Sequence, residues 1–287
     1  MITVTGATGK LGRLVIDGLL DRIPAEQITA AVRSPETAAD LAARGVEVRR
    51  ADYDEPGTLL ASLAGTDRLL LISGNDPRRT LAQHTTVIDA AKQIGVSLLA
   101  YTSLVLPTAP PRSTEPVIEA SGLPFTMLRN AQYSGHYAPQ ITQAVATGVF
   151  VGSAGAGRTA TASHADLAAA AVTVLTGEGH EDKVYELTGD EAWSFPELVA
   201  EIGCASGRTV SYRNVSFAEH LELLLGAGVP RLYAEVYVAN YQAIAAGGFA
   251  KTTADLRELI GRPATTLAEF VAEVVNSPAP NGGSAHE

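Results

Sequence analysis

Three glycines near the start of the chain stand at a spacing that can hold a phosphate group. They are Gly6, Gly9 and Gly12 in the segment ITVTGATGKLGRLV. A β-rich run at 1–5 precedes them, and residues 14–20 after them have helical spacing. Glycine permits a tight turn, and the first turn of a helix presents N–H groups and a partial positive charge to an anion. The pattern predicts binding of a dinucleotide pyrophosphate, with a structural turn as the alternative.

The second predicted strand, 28–32, indicates which dinucleotide binds. An NAD site usually has Asp or Glu about 20 residues after the glycines, where the carboxylate holds the ribose 2′-OH. Here Arg33 follows the strand, and no acid stands at its end. Because a guanidinium suits a 2′-phosphate, the sequence favours NADPH and leaves NADH as a possible cofactor. Lys10 can add a second positive charge; the alternative is that Arg33 is a solvated surface side chain.

An alternation of strands and helices must position these residues. Continuous apolar strands between helical segments are typical of a parallel sheet that is covered on both faces. Right-handed crossovers then give an α/β fold, a Rossmann-type doubly wound sheet, with a small α/β C-terminal substrate lobe. We predict a cofactor domain at 1–130, a smaller substrate-binding lobe at 131–275 that is partly interleaved with it, and a disordered tail at 276–287.

Polar residues follow two of the predicted strands at the edge where a cofactor would cross the sheet. Asp52 and Tyr53 come after the third strand and are placed to meet the adenine. Ser73 and Gly74 end the fourth strand. In open α/β sheets, ligands bind at the carboxyl ends of the strands, so we expect all four residues to contribute to the cofactor site.

Composition and charge exclude several classes of function. The chain has 287 residues and a net charge of −10, which disfavours non-specific nucleic-acid binding. No apolar run is long enough to cross a bilayer, and the glycines interrupt the apolar start, so we expect a cytoplasmic protein without a membrane partner. No zinc-type spacing indicates a metal, and the single cysteine, Cys204, is expected to be a buried helical side chain. No partner is evident for the histidines His84, His164, His180, His220 and His286.

Several segments together resemble one protein family. The segments TGATGKLGRLV, AVRSP, ADYDE, LLLIS, AYTSL and LRNAQYSGHY are similar to atypical short-chain dehydrogenase/reductases. The most similar group is the NmrA-like branch that contains the type 2 NAD(P)H:quinone oxidoreductases. The resemblance continues through VYELTGDEAWSFPELVAEI and TTLAE and covers almost the whole chain. It implies a Rossmann domain, NADPH and a small C-terminal substrate lobe.

The resemblance also implies roles for individual residues. Those expected to line the pyrophosphate are Gly6, Thr8, Gly9, Lys10, Leu11 and Gly12. Arg33 would take the 2′-phosphate, Thr102 would lie under the nicotinamide ribose, and Asn130 would lie near the nicotinamide. Tyr133 and Tyr137 would face the substrate pocket.

The proton donor of typical short-chain reductases is missing. Those enzymes use a tyrosine and a lysine four residues later on one helical face. None of the nine tyrosines here has lysine at that spacing. Related quinone reductases carry a longer segment after YTSL that ends in a TEK-like turn, which we align with TEP at 114–116. We therefore expect a helix that has lost its N-terminal part, begins near Ser113 with Pro116 in its first turn, and leaves a wider pocket.

Other hydroxyl groups must then stabilise a developing alkoxide. The candidate catalytic residues are Ser103, Tyr133 and Tyr137, with water as a further donor. His136 is also a candidate, although a solvent-facing position is expected for it. A substrate with a phenol beside its carbonyl could supply an internal hydrogen bond instead.

Three functions fit these residues. The first is an NADPH-dependent ketoreductase that acts on a planar polycyclic aromatic polyketide in antibiotic biosynthesis, because the shortened site is similar to that of angucyclinone ketoreductases. The second is an NAD(P)H:quinone oxidoreductase, whose hydride transfer to a ring needs less specific acid help. The third is a non-catalytic NADP sensor of NmrA type, which would bind NADP without turnover.

Overall fold

The computed structural model describes residues 1–74, 76 and 78–277, and it divides into two compact units. The first unit comprises Met1–Ala131, His164–Thr188 and Thr253–Ala264. The second comprises Gln132–Ser163, Gly189–Thr252 and the chain from Thr265 onward. The tail predicted at 276–287 lies outside the described residues from 278 onward. Among the described residues, no helix is both long enough and apolar enough to cross a membrane.

The strands and helices are numbered here in chain order. The strands are β1 Ile2–Thr5, β2 Ile28–Val32, β3 Glu47–Arg50, β4 Arg68–Leu71, β5 Leu98–Leu104, β6 Phe125–Asn130, β7 Val149–Gly152, β8 Arg158–Thr159, β9 Lys183–Leu187, β10 Trp193–Ser194 and β11 Ser211–Asn214. The helices are α1 Lys10–Leu20, α2 Ala39–Ala43, α3 Pro56–Ser62, α4 Thr80–Ile94, α5 Glu115–Ser121, α6 Ala138–Thr147, α7 His164–Thr176, α8 Phe195–Ser206, α9 Phe217–Gly226, α10 Arg231–Ala245, α11 Asp255–Ile260 and α12 Leu267–Asn276.

The first unit contains a parallel sheet whose strand order in the described residues is β3-β2-β1-β4-β5-β6-β9. The order reverses between β1 and β4, which are hydrogen-bonded to each other with Val4 opposite Leu70. At such a reversal the connections leave on opposite faces and open a crevice at the carboxyl ends of the strands. The predicted fold class, an α/β Rossmann-type sheet, is confirmed.

The inner strands β1, β2, β4 and β5 are almost completely buried, because both faces of the sheet are covered. The side chains of Leu69, Leu71, Leu99, Tyr101 and Met127 belong to one buried core cluster, which also contains apolar residues of α3 and α4. The burial of these side chains stabilises the sheet by about 1.5–3 kcal/mol for each large apolar residue. The core thus fixes the strand ends that carry the predicted cofactor residues.

The segment after β5 contains the predicted shortened helix. Pro110–Thr114 forms a 3-10 turn, and α5 begins at Glu115 with Pro116 in its first turn. Proline is tolerated there because the first-turn N–H groups have no partner within the helix. The prediction of a helix that starts near Ser113 is therefore confirmed to within two residues.

The second unit contains two small sheets and five helices among its described residues. Strands β7 and β11 pair in parallel, and β8 and β10 pair antiparallel. Helix α8 begins with a capping box between Ser194 and Glu197. The expectation that Cys204 is buried is wrong, because its side chain is exposed. The buried face of α8 is formed by Phe195, Leu198, Val199 and Ile202, and Cys204 does not lie on that face.

Candidate functional site

The glycine-rich segment at 6–12 forms a tight turn between β1 and α1. Gly6 has φ +60°, a left-handed conformation that favours glycine. The Gly9 amide donates a 3.0 Å hydrogen bond to the Gly6 carbonyl oxygen. A Cβ atom at Gly12 would overlap that same oxygen and would lie 2.7 Å from Ala7 Cα. Glycine is therefore required at both ends of the segment.

The first turn of α1 is open to an anion. Its N-cap residue, Gly9, has no side chain to accept from the turn, and the turn contains no acidic residue. The amides of Lys10, Leu11 and Gly12 lie in this turn, where N–H groups have no partner within the helix. Thr8 is half-buried, and its carbonyl oxygen accepts from Arg13 Nε at 3.2 Å. This donor set fits the pyrophosphate of a dinucleotide.

Arg33 and Lys10, two cations of the first unit, have no acidic partner among the described residues. Arg33, immediately after β2, and Lys10 are exposed, and neither makes a hydrogen bond or ion pair with the part of the chain that the structure describes. Other arginines nearby are engaged: Arg13 pairs with Asp40, and Arg44 pairs with Asp17. The positive charges of Arg33 and Lys10 are thus available to a ligand such as a phosphate.

The residues after β3 are tied to their own loop and to β1. Asp52 accepts the Asp54 amide at 3.0 Å, and its own amide donates to Thr58 Oγ1 at 2.9 Å. The Tyr53 hydroxyl donates to Thr5 Oγ1 at 2.6 Å, and burial raises the pKa of Tyr53. The half-buried Tyr53 therefore points its hydroxyl into the protein.

The carboxyl ends of β4 and β5 are joined by a hydrogen bond between predicted site residues. The Ser73 amide donates to Thr102 Oγ1 at 2.9 Å. Gly74 follows, and its amide donates to His84 Nε2 at 3.2 Å. On the neighbouring strand β6, the carbonyl oxygen of the buried Asn130 accepts from the Val105 amide at 3.0 Å. The structure thus brings Ser73, Gly74 and Thr102 together.

Ser103 is the candidate donor in the first unit. Its side chain is 2% exposed, and its Oγ atom makes no hydrogen bond of ordinary geometry within the described residues. The Glu115 carboxylate, which forms ion pairs with Arg112 and Arg129, interacts with the Ser103 hydroxyl. Burial raises the pKa of Glu115, while Ser103 and Arg112 lower it. A buried hydroxyl without a normal partner is suited to bind a polar atom of a ligand.

Tyr133 and Tyr137 belong to the second unit. The Tyr137 hydroxyl donates to Gln132 Oε1 at 2.9 Å, its ring packs edge-on against Trp193, and burial raises its pKa well above the ordinary value. Tyr133 is half-buried, and its ring contacts His136 at a centroid distance of 5.3 Å. His136 is exposed, as predicted. The catalytic candidates are therefore divided between the two units.

The expectation that the histidines lack partners is wrong for the four that lie in the described residues. His84 contacts Gly74, Thr114 and Tyr101, His180 Nδ1 lies 2.9 Å from the Tyr185 hydroxyl, and His220 Nδ1 lies 2.8 Å from Ser153 Oγ. His164 also has a contact, and His286 lies outside the described residues. A signal for His84 exists in the sequence, because it falls at helical spacing with the apolar residues Val87, Ile88 and Ala91.

Comparisons with known proteins agree with this geometry. Residues 6–107 match the model of an NAD(P)H-binding family. The chain is 43% identical over 283 residues to quinone oxidoreductase 2 of Escherichia coli, with 96% of this chain and 99% of the relative covered.

Solved structures give the same result. A crystal structure of an NADPH-dependent quinone oxidoreductase from Escherichia coli in complex with NADPH has 43% identity and a TM-score of 0.93, covering 96% of this chain and 100% of that chain. A triphenylmethane reductase from Citrobacter sp. complexed with NADP(H) has 41% identity and a TM-score of 0.91, covering 96% and 100%. The predicted resemblance is confirmed, and the chain belongs to the NmrA-like family of NAD(P)H-dependent oxidoreductases.

Proposed function

We propose that this protein is an NADPH-dependent quinone oxidoreductase that reduces small planar aromatic quinones. The observation that carries the proposal is the pair of exposed cations, Arg33 directly after β2 and Lys10 in the first turn of α1, which have no acidic partner among the described residues. The relationship at 43% identity to a quinone oxidoreductase over nearly the whole chain supports the choice of substrate class. Bound NADPH supplies the hydride.

The chain's own residues would hold the cofactor along the carboxyl edge of the sheet. The pyrophosphate would accept hydrogen bonds from the first-turn amides of α1, and the 2′-phosphate would pair with Arg33. Asp52 and Tyr53 would border the adenine. Toward the nicotinamide end, the proposed contacts are Ser73, Gly74, Thr102 and Asn130.

The missing tyrosine-lysine pair favours a quinone over a ketone. Hydride addition to a quinone leaves a phenolate, and the pKa of a phenol such as tyrosine is about 10. Water can protonate such a weak base. The alkoxide formed from a simple ketone is a much stronger base and benefits from a positioned acid. We propose Ser103 as the hydroxyl that hydrogen-bonds the developing oxygen, since the Tyr137 hydroxyl already donates to Gln132.

The polyketide ketoreductase, which the sequence favoured first, receives less support. The relatives named above are, by their names, reductases of quinones and of triphenylmethane dyes. Neither name refers to a polyketide ketone. We therefore propose the quinone oxidoreductase, which is the second of the three functions considered for the sequence.

The test compares acceptors under identical conditions. The loss of NADPH absorbance is measured with a benzoquinone, a naphthoquinone and a tetracyclic angucyclinone ketone, and the products are identified by mass and NMR. We expect turnover of the two quinones to hydroquinones and no alcohol from the ketone. Turnover of the ketone alone would overturn the proposal in favour of the ketoreductase. Tight NADPH binding without oxidation by any acceptor would instead indicate a sensor.

A further inference from the structure

A fully buried histidine lies beneath the proposed nicotinamide end of the site. His84 is 0% exposed and lies on the face of α4 that also buries Val87, Ile88 and Ala91. An imidazole in such surroundings is costly to bury unless its nitrogen atoms have partners. Both nitrogen atoms have partners here, and these come from three different segments of the first unit.

The hydrogen bonds determine where the imidazole carries its proton. The Gly74 amide donates to Nε2 at 3.2 Å, so Nε2 is the acceptor. Burial lowers the pKa of His84 to about 4, so the ring is neutral near pH 7 and its proton lies on Nδ1. Nδ1 is 2.9 Å from Thr114 Oγ1 and 3.2 Å from the Tyr101 hydroxyl oxygen. The Tyr101 hydroxyl donates to the Pro111 carbonyl oxygen at 2.9 Å, which leaves its oxygen free to accept.

These contacts hold the segment after β4 from two sides. The Ser73 amide is bound to Thr102 on β5, and the adjacent Gly74 amide is bound to His84 on α4. On its other side, the imidazole contacts the 3-10 turn that leads into α5, through Thr114. The two nitrogen atoms of His84 thus contact different segments. Nε2 accepts directly from Gly74, whereas Nδ1 reaches Ser73 only indirectly, through the Tyr101 hydroxyl, which lies 3.4 Å from Ser73 Oγ.

We propose that His84 is a positioning residue for NADPH. Its Nε2 lone pair holds Gly74, and through it Ser73, in the conformation that the cofactor meets at the carboxyl edge of the sheet. Its Nδ1 proton mainly stabilises the turn before α5, because its only route to Ser73 among the described contacts runs through the Tyr101 hydroxyl. This inference rests on the proposed function, because it assumes that Ser73 and Gly74 contact NADPH.

Two substitutions separate the roles of the two nitrogen atoms. In His84→Gln, the side-chain amide reaches the position of Nε2, so its oxygen can still accept from Gly74. In His84→Asn, the shorter amide reaches only the position of Nδ1, so the Gly74 amide loses its acceptor. We expect both variants to have a lower melting temperature. Because one hydrogen bond contributes about 1 kcal/mol, we expect the NADPH dissociation constant to rise about five- to tenfold in His84→Asn and to stay near the wild-type value in His84→Gln.

A third variant is the matched control. Thr114→Val removes the nearer of the two partners of Nδ1, keeps the Tyr101 hydroxyl as the other, and leaves the bond to Gly74 intact, so it should lower the melting temperature without changing NADPH affinity. Equal NADPH affinity in wild type and His84→Asn would overturn the inference and make His84 a purely structural residue. If wild type itself does not bind NADPH, the proposed function fails, and that result differs from one in which all variants bind alike.

A measurement on the wild-type protein keeps the inference testable if the His84 variants do not fold. Hydrogen exchange at the Gly74 amide, followed by NMR without NADPH, reports on the bond to Nε2 directly. We expect this amide to be protected before the cofactor is added. Rapid exchange there would show that His84 does not hold the segment and would overturn the proposal.

Discussion

The Tyr53 hydroxyl donates a 2.6 Å hydrogen bond to Thr5 Oγ1, which joins the loop after β3 to the last residue of β1. Thr5 also accepts from the Ile72 amide at 3.0 Å and donates to the Leu70 carbonyl oxygen at 3.2 Å. One buried threonine hydroxyl therefore connects the carboxyl ends of three strands of the sheet. These hydrogen bonds stabilise the carboxyl edge of the sheet, where we propose that NADPH binds.

Substitution of Tyr53 by phenylalanine should weaken this edge. We expect Tyr53→Phe to lower the free energy of unfolding by about 1 kcal/mol, because a buried hydrogen bond contributes that much on average. Urea unfolding measures the change. Tyr233→Phe is the control, since Tyr233 is 53% exposed and should give no change. Equal stability of Tyr53→Phe and wild type would contradict the role given to the hydroxyl.

Arg33 should determine the preference for NADPH over NADH. We expect Arg33→Ala to raise the NADPH dissociation constant roughly ten- to a hundredfold, because hydrogen bonds to charged groups contribute about 1.5–3 kcal/mol. NADH lacks the 2′-phosphate, so its affinity should not change. Titration of both nucleotides by fluorescence checks the prediction.

The control for Arg33 is another exposed arginine of the first unit. Arg44 pairs with Asp17, and exposed pairs contribute little, so Arg44→Ala should leave both nucleotide affinities unchanged. A parallel loss of NADPH and NADH binding in Arg33→Ala would argue against a 2′-phosphate contact. It would indicate instead that Arg33 supports the fold of the loop.

A substitution at Gly12 tests whether the tight turn at the start of α1 is needed for NADPH binding. A Cβ atom there would overlap the Gly6 carbonyl oxygen, so Gly12→Ala must displace the turn. We expect at least a tenfold loss of NADPH affinity and a lower melting temperature. Gly57→Ala in α3 is the control, because a Cβ atom there meets nothing within 4 Å, and it should be neutral or slightly stabilising. Normal NADPH binding by Gly12→Ala would rule out the tight turn as a requirement.

Local signals were sufficient to predict the part of the first unit that precedes residue 131, but not that residues 164–188 and 253–264 also belong to it. The glycines, the apolar strands and Pro116 act through backbone geometry and periodicity within a few residues of themselves, so their consequences can be read along the chain. The short strand β7, Val149–Gly152, carries too weak a local signal to be predicted. Its pairing with β11 is a tertiary contact between segments about 60 residues apart.

The partners of charged and polar side chains could not be predicted. Arg13 and Arg33 look alike in the sequence, and only the fold shows that Asp40 pairs with Arg13 while Arg33 stays available. The contacts of His84 could not be predicted either, because Gly74 and Thr114 lie in separate segments that are brought to His84 only by the packing of the fold. Such contacts depend on how elements dock, which periodicity does not encode.

His84 should also make the stability of the protein depend on pH. Its pKa is lowered from 6.5 to about 4 by burial, so between these values the unfolded chain binds a proton that the folded protein does not. Stability is therefore lost as the pH falls below 6.5, by up to about 3 kcal/mol at pH 4. The neighbouring Tyr53 and Tyr101 remain neutral in this window, because burial raises the pKa of both.

Comparison with His84→Gln isolates this effect from that of other groups. His180 and His220 also have lowered pKa values through burial, so they destabilise both proteins on acidification. Urea unfolding at a series of pH values from 7.5 to 4.5 should show a smaller loss in His84→Gln than in wild type, with the two curves converging as the pH falls. Curves that stay parallel over this range would mean that the imidazole takes up its proton at the same pH in the folded and the unfolded protein, and burial would then not keep His84 neutral below pH 6.5.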